Sequence, residues 1–163
     1  MQHAKDTFYA VVRDRLEVVN PSRRILTNDG PRPAVLVAEN QLADGKSTPP
    51  DAFVLHWGAL ATAYGQGQER PLLQLECEFR YRSAGSSEGG LDRGRSISAM
   101  DAELVAVLRP ACARKRKLSQ TPPLDLDTYI RWSAPRFESA EQKDNQLHRA
   151  ARVNVFFYPE VLL

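Results

Sequence analysis

From Leu72 to Arg82 the chain reads LLQLECEFRYR, and this stretch constrains the fold more than any other. Leu73, Leu75, Cys77, Phe79 and Tyr81 share one parity, while Gln74, Glu76, Glu78, Arg80 and Arg82 share the other. A two-residue period puts every apolar side chain on one side of an extended backbone, an arrangement no helix produces. A slip of one residue would send the whole apolar set into water, so the register is strongly specified. The stretch predicts a central or near-central strand of an antiparallel sheet with one wet face.

The flanking segments supply the layers. Phe8, Val12, Leu16 and Val19 recur at helical steps and predict an amphipathic helix over 6–19, with Asp6 and Thr7 as caps and Pro21 as its stop. Arg24 to Thr27 reads as a short strand. The turn Asn28-Asp29-Gly30 leads into a second strand over 34–39, with Pro31 and Pro33 at its entrance. Residues 40–51 are a loop by composition, and 52–57 an apolar strand. Gly58, Gly65 and Gly67 make 58–70 a long hairpin connection, and 83–96 is a second Gly- and Ser-rich connection. Met100, Leu104, Val107 and Leu108 predict a helix over 98–109, opened by Ser98 with Asp101 and by Ile97, and closed by Pro110. Residues 128–132 and 148–158 read as strands, and 133–146 as loop or a short helical turn. The order predicts an α+β domain spanning 1–163: a mostly antiparallel four- to six-stranded sheet with two amphipathic helices packed on one face.

Composition narrows the function classes. A chain of 163 residues is long enough for one self-sufficient core, and its formal charge of +2 does not require nucleic acid or a membrane as partner. Cys77 and Cys112 form no C-x-x-C pair and predict free thiols in a reducing compartment. The charge-interrupted N-terminus lacks a signal-peptide core, and no run approaches the ~20 apolar residues of a membrane span. The expected location is the cytoplasm, or a particle assembled there.

Chemistry is faint. Asp44-Gly45-Lys46-Ser47-Thr48 ends like a phosphate-binding loop, but that motif needs glycine at position 40, where Asn40 stands, and Pro49 and Pro50 obstruct the helix that should follow. His3, His56 and His148 lack ligand spacing, and Asp125 with Asp127 lies in a proline-flanked connector, so no metal or other cofactor is expected. No G-x-S-x-G elbow is present; Cys77 belongs to the apolar parity. Glu76 and Glu78 with Arg80 could serve a small α+β enzyme as a carboxylate pair, although alternating charge more often marks a solvated or subunit-facing surface. Arg109 to Lys117, RPACARKRK, is the densest basic segment. It suits a solvated helix exit, an acidic partner or the backbone of passing DNA, and no aromatic interleaves it.

An N-terminal amphipathic helix, strands, the long Leu72 strand, a flexible connection, a second helix and closing strands form a layout that resembles the tail terminator or tail-completion proteins of long-tailed phages and contractile injection systems. The resemblance runs from the helix over 6–19 to the strand over 148–158. It implies a non-enzymatic structural protein whose copies form a ring, commonly hexameric, that caps the tail tube and joins it to head or sheath. Tail-tube or head-completion proteins would be its partners, with transient contact to passing DNA and none to a membrane. No catalytic residues carry over. Glu76, Glu78, Arg80 and Arg82 would then face the lumen or a neighbouring subunit, and Arg114, Lys115, Arg116 and Lys117 a subunit or the tube. The connections 58–70 and 83–96 would order on assembly.

Overall fold

The Leu72 strand forms with the bounds that its alternation sets. In the computed structural model, which describes residues 1–41, 48–63, 70–86 and 88–160, it is the fifth of ten strands. The order is α1 (Gln2–Val19), β1 (Arg24–Thr27), β2 (Gly30–Pro33), β3 (Val35–Val37), α2 (Ala38–Gln41), β4 (Phe53–Ala63) and β5 (Leu72–Arg82). A single 3-10 turn (Glu88–Gly90) precedes α3 (Asp92–Val107), β6 (Cys112–Lys117), β7 (Leu124–Trp132), β8 (Arg136–Phe137), β9 (Glu141–Lys143) and β10 (Gln146–Phe157). Among the described residues β1 and β2 pair only with each other, the other eight strands form one sheet, ordered β3-β4-β5-β10-β7-β6 with β8 and β9 also on β10, and only the β3–β4 pair is parallel. The architecture is α+β and mostly antiparallel, with β5 between β4 and β10.

Among the described residues the sheet has eight strands against the four to six expected, because the basic connector supplies β6 and 133–146 supplies β8 and β9; residues 58–63 lengthen β4 instead of looping. The apolar parity of β5 faces the helices: Leu73, Leu75, Cys77, Phe79 and Tyr81 share one buried cluster with Phe8, Val12 and Leu16 of α1 and Met100 and Leu104 of α3.

Both main helices start earlier than their apparent caps. The Thr7 hydroxyl donates to the His3 carbonyl at 2.6 Å and accepts the Arg116 amide of β6 at 2.8 Å, so it ties α1 to an edge strand. The start of α1 is served from the other end of the chain, where the Glu160 carboxylate accepts the His3 amide at 3.1 Å and pairs with the Met1 amine. Burial pushes Glu160 up, but that amine, with His3 and Lys115, outweighs it and holds the carboxyl below its usual range. A folded-state value below the unfolded one gives stability that is fully present above the ordinary carboxylate range and lost as pH falls through the lowered value. Glu160→Gln is therefore expected to cost about 0.5–1 kcal/mol at pH 7 in urea unfolding, with the gap from the native protein closing in acid. A gap that persists unchanged at low pH would contradict this role.

α3 begins at Asp92, ahead of the predicted Ser98, with Ile97 buried inside it and not at its entrance. Asp101, expected in a capping box, instead accepts the Tyr81 hydroxyl and faces Arg149 at 3.3 Å. Arg15 meets the C-terminal end of α3, donating to the Val107 carbonyl at 2.9 Å and, just beyond the helix, to the Arg109 carbonyl at 3.0 Å. Side chains also close the outer edge of β3, since Tyr9 donates to the Val35 carbonyl at 3.4 Å and Gln41 accepts the Val37 amide at 2.8 Å.

Candidate functional site

The polar parity of β5 meets polar residues of both neighbours. Glu78 lies opposite His56 of β4 and Arg152 of β10. Its carboxylate accepts Arg80 on one oxygen and Arg152 on the other, the latter at 2.8 Å, and Arg152 also reaches Glu138 at 3.0 Å. This row is therefore not evenly wet, because the two arginines leave Glu78 only 9% exposed. Burial pushes the Glu78 carboxyl up, but the hydrogen bonds and charges of Arg80 and Arg152 prevail and lower it. Burial and Arg80 hold His56 down, against Glu78. Arg82 is engaged with the Thr48 carbonyl and the Gln146 side chain. Glu76 backs onto β4, where a Cβ on Gly58 would come within 3.1 Å of its Oε1.

A concavity of about 300 Å³ opens beside this network, lined by Glu78, Arg80, Glu138, Ser139 and His148 among others. An enzyme built on it would need a base that titrates near its working pH. Glu78 is poorly suited, since Arg80 and Arg152 occupy both its oxygens. Among the described residues no group of three or more His, Cys, Asp or Glu could hold a metal. The Asp44 to Ser47 part of the phosphate-loop-like stretch lies outside the described residues.

Strand alternation divides the basic segment. Arg114 and Arg116 point outward and share Asp125 at 3.7 and 3.6 Å, while Lys115 is buried at 2% exposure and donates to the Tyr158 carbonyl at 3.1 Å. Burial lowers the Lys115 pKa, against the nearby Glu160. Lys117, at the end of β6, is half-buried. Strand β6 thus presents two outward arginines that Asp125 partly neutralises, and Arg109 is exposed ahead of it. The aromatic that the segment lacks comes from β7, where Tyr129 lies under the Arg114 guanidinium at 5.7 Å. Cys112 is exposed on this strand, and Cys77 is buried, with its thiol pushed up by burial.

The least conventional surface is the outer edge of β4. β3 covers it only from Phe53 to Leu55. Among the described residues no other strand pairs with that edge from His56 to Ala63. Gly58 to Thr62 are all exposed, including Leu60, which sits opposite buried Leu75 yet remains 46% exposed. The strand also carries a register shift between Trp57 and Leu60.

No known protein-family model matches this chain, and no curated protein matches it in sequence. Among the described residues no helix is long and apolar enough to cross a membrane.

Two participants in the charged network were missed by sequence reasoning. Arg152 and Glu138 reach Glu78 only through strand pairing across 74 residues or through Arg152 itself, and nothing local marks them.

Proposed function

We propose that this chain is a non-enzymatic assembly protein of the tail-terminator kind, acting as a homo-oligomeric ring that caps a tail tube and joins it to head or sheath. The observation that carries this reading is the β4 edge. An unpaired edge strand is a template for another chain, and folded proteins blunt such edges with lysine, proline, a bulge or cover; β4 has its register shift between Trp57 and Leu60 and then regains regular pairing with β5 from Leu60 to Ala63. From Trp57 to Ala63 the strand has no charged residue and no proline. Its open backbone groups and bare Leu60 suit strand addition or close packing by a neighbouring copy.

The mixed-charge face of β5 fits the same reading. Glu78, Arg80, Arg152 and Glu138 satisfy one another, which suits a firm polar wall facing a subunit, a tube protein or passing DNA better than a reactive centre. Arg114 and Arg116 offer a second polar surface near the opposite end of the sheet order.

Light scattering coupled to size exclusion, with negative-stain microscopy, is expected to show closed rings of fixed subunit number. Leu60→Lys should keep the fold, because the site is already half-exposed, and shift the particle toward monomer. Monomers at every concentration of the native protein would end this reading.

A further inference from the structure

We infer that the sheet face turned away from the helices binds single-stranded nucleic acid, bases stacking at the Phe156 and Tyr129 rings while Arg131 and Arg114 meet the neighbouring phosphates. This site does not depend on whether the chain forms a ring.

Strand alternation puts these residues on one face. Val155 and Phe157 of β10 and Ile130 and Trp132 of β7 belong to the buried cluster shared with α1 and α3, so Phe156 and Arg131, each between two of them, point the other way. Strand pairing then aligns Gln74 of β5, Phe156, Arg131 and Cys112 of β6 as one row across the sheet, with Tyr129 and Arg114 in the next. Phe156 is thus an aromatic ring on the otherwise polar parity of Arg152 and Asn154, with no share in the core. Tyr129, on the same face, is 50% exposed.

A concavity of about 420 Å³ lies over this row, lined by Phe156, Tyr129, Tyr158, Arg131 and Cys112 among others. Buried Lys115 donates to the Tyr158 carbonyl at 3.1 Å, which fixes the backbone that carries the third ring. Two of the rings already hold a guanidinium: Arg131 lies over Phe156 at 5.5 Å and Arg114 over Tyr129 at 5.7 Å. A guanidinium stacked in this way is planar and keeps its N–H donors at the edge, so it offers a base a flat surface and a phosphate its hydrogen bonds.

Charge and shape together select the occupant. Arg131 is exposed, and among the described residues no carboxylate pairs with it, since Asp125 lies against Arg114 and Arg116 instead. Arg114, Arg116 and Arg131 outnumber the nearby Asp125 and Asp127 by one, so the patch favours an anion but holds a polyanion only weakly by charge. Stacking must supply the larger share, and it requires unpaired bases whose faces are free. A duplex keeps those faces covered, and an acidic peptide would use the arginines and leave the rings idle. Because every base has a π-face, little sequence preference is expected.

The test is fluorescence anisotropy of the full chain with labelled oligodeoxythymidylate of about ten nucleotides, long enough to cover one binding face. The single strand is expected to bind at least roughly tenfold more tightly than a duplex of equal length or oligoglutamate, with a log–log salt slope of about −1.4, as two phosphate contacts predict. Tyr129→Ala and Phe156→Ala should each weaken binding by roughly tenfold, with thermal melting as the check on folding, and Tyr129→Phe, which keeps the ring, by much less. Arg131→Gln should weaken binding and flatten the slope by about 0.7. Cys112 reports position in the native protein: saturating oligonucleotide should slow alkylation of this exposed thiol, while buried Cys77 stays unmodified. No binding at low ionic strength, equal binding of duplex or oligoglutamate, native affinity in both alanine variants, or Cys112 alkylated at the same rate with and without bound strand would each overturn this assignment and leave the ring reading standing.

Discussion

Phe8→Ala is expected to be the most damaging single truncation in the chain, lowering stability by about 3–5 kcal/mol. Phe8 is fully buried and packs edge-on against Trp132 at 5.5 Å, Trp57 at 6.0 Å and Phe79 at 6.3 Å. One ring thus joins α1 to β7, β4 and β5, and its removal leaves a cavity among rigid aromatics that cannot readily collapse into it. Domains of this kind have only ~5–15 kcal/mol in total, so the variant should be marginal. At this size each kcal/mol moves the melting point by about 2–4 °C, which puts the expected fall at roughly 6–20 °C. Phe8→Leu keeps most of the volume and should cost well under half as much. An equilibrium urea measurement giving less than ~1.5 kcal/mol for Phe8→Ala would mean that α1 is not clamped to the sheet through this ring. The variant should also lose assembly, whereas Leu60→Lys should lose assembly with its melting point intact, which separates a folding defect from a contact defect.

What was legible in the sequence was whatever a local period could encode. β5 forms from Leu72 to Arg82 because five apolar residues alternate without interruption, and the α1 and α3 stripes carry the residues that bury against it. The misplacements have a common cause: a local signal was outweighed by a distant partner. Thr7 looked like a cap but serves β6, while Glu160 from the chain's far end takes the capping role. Ser98 and Asp101 looked like a capping box, but Asp101 is drawn to Tyr81 and Arg149 across the core. RPACARKRK looked like one basic patch; as a strand it turns Lys115 inward and Arg114 and Arg116 outward. Gly58 reads as a breaker that ends the strand over 52–57, but it is the position where β4 continues and passes close to Glu76. The charged network around Glu78 was half legible, with Glu78 and Arg80 on one parity of one strand and Arg152 and Glu138 brought in only by pairing.

Glu103→Ala is expected to cost about 3 kcal/mol and to loosen the β1–β2 hairpin. Glu103 and Arg23 are 11% and 12% exposed, and the carboxylate accepts Arg23 and Asn20 together. Without it Arg23 is a largely buried cation left with the Asp51 carbonyl and the face of Phe53 at 5.8 Å. Breaking a buried pair by removing one partner is costly because the surviving charge stays desolvated; those two remaining contacts place the estimate at the low end of the ~3–5 kcal/mol range. Arg23→Met in the same background should recover part of the loss, so the double variant should be more stable than the two single losses added together would make it. Hydrogen exchange gives the sharper readout: amides of residues 24–33 should exchange faster in Glu103→Ala, while those of β5 and β10 keep their protection relative to global unfolding. Glu103→Gln, which keeps an acceptor for Arg23 and Asn20, should lose less stability than Glu103→Ala and loosen the hairpin less. If Glu103→Ala loses stability while hairpin exchange stays native, the hairpin is held by something other than this pair, and the anchoring argument fails.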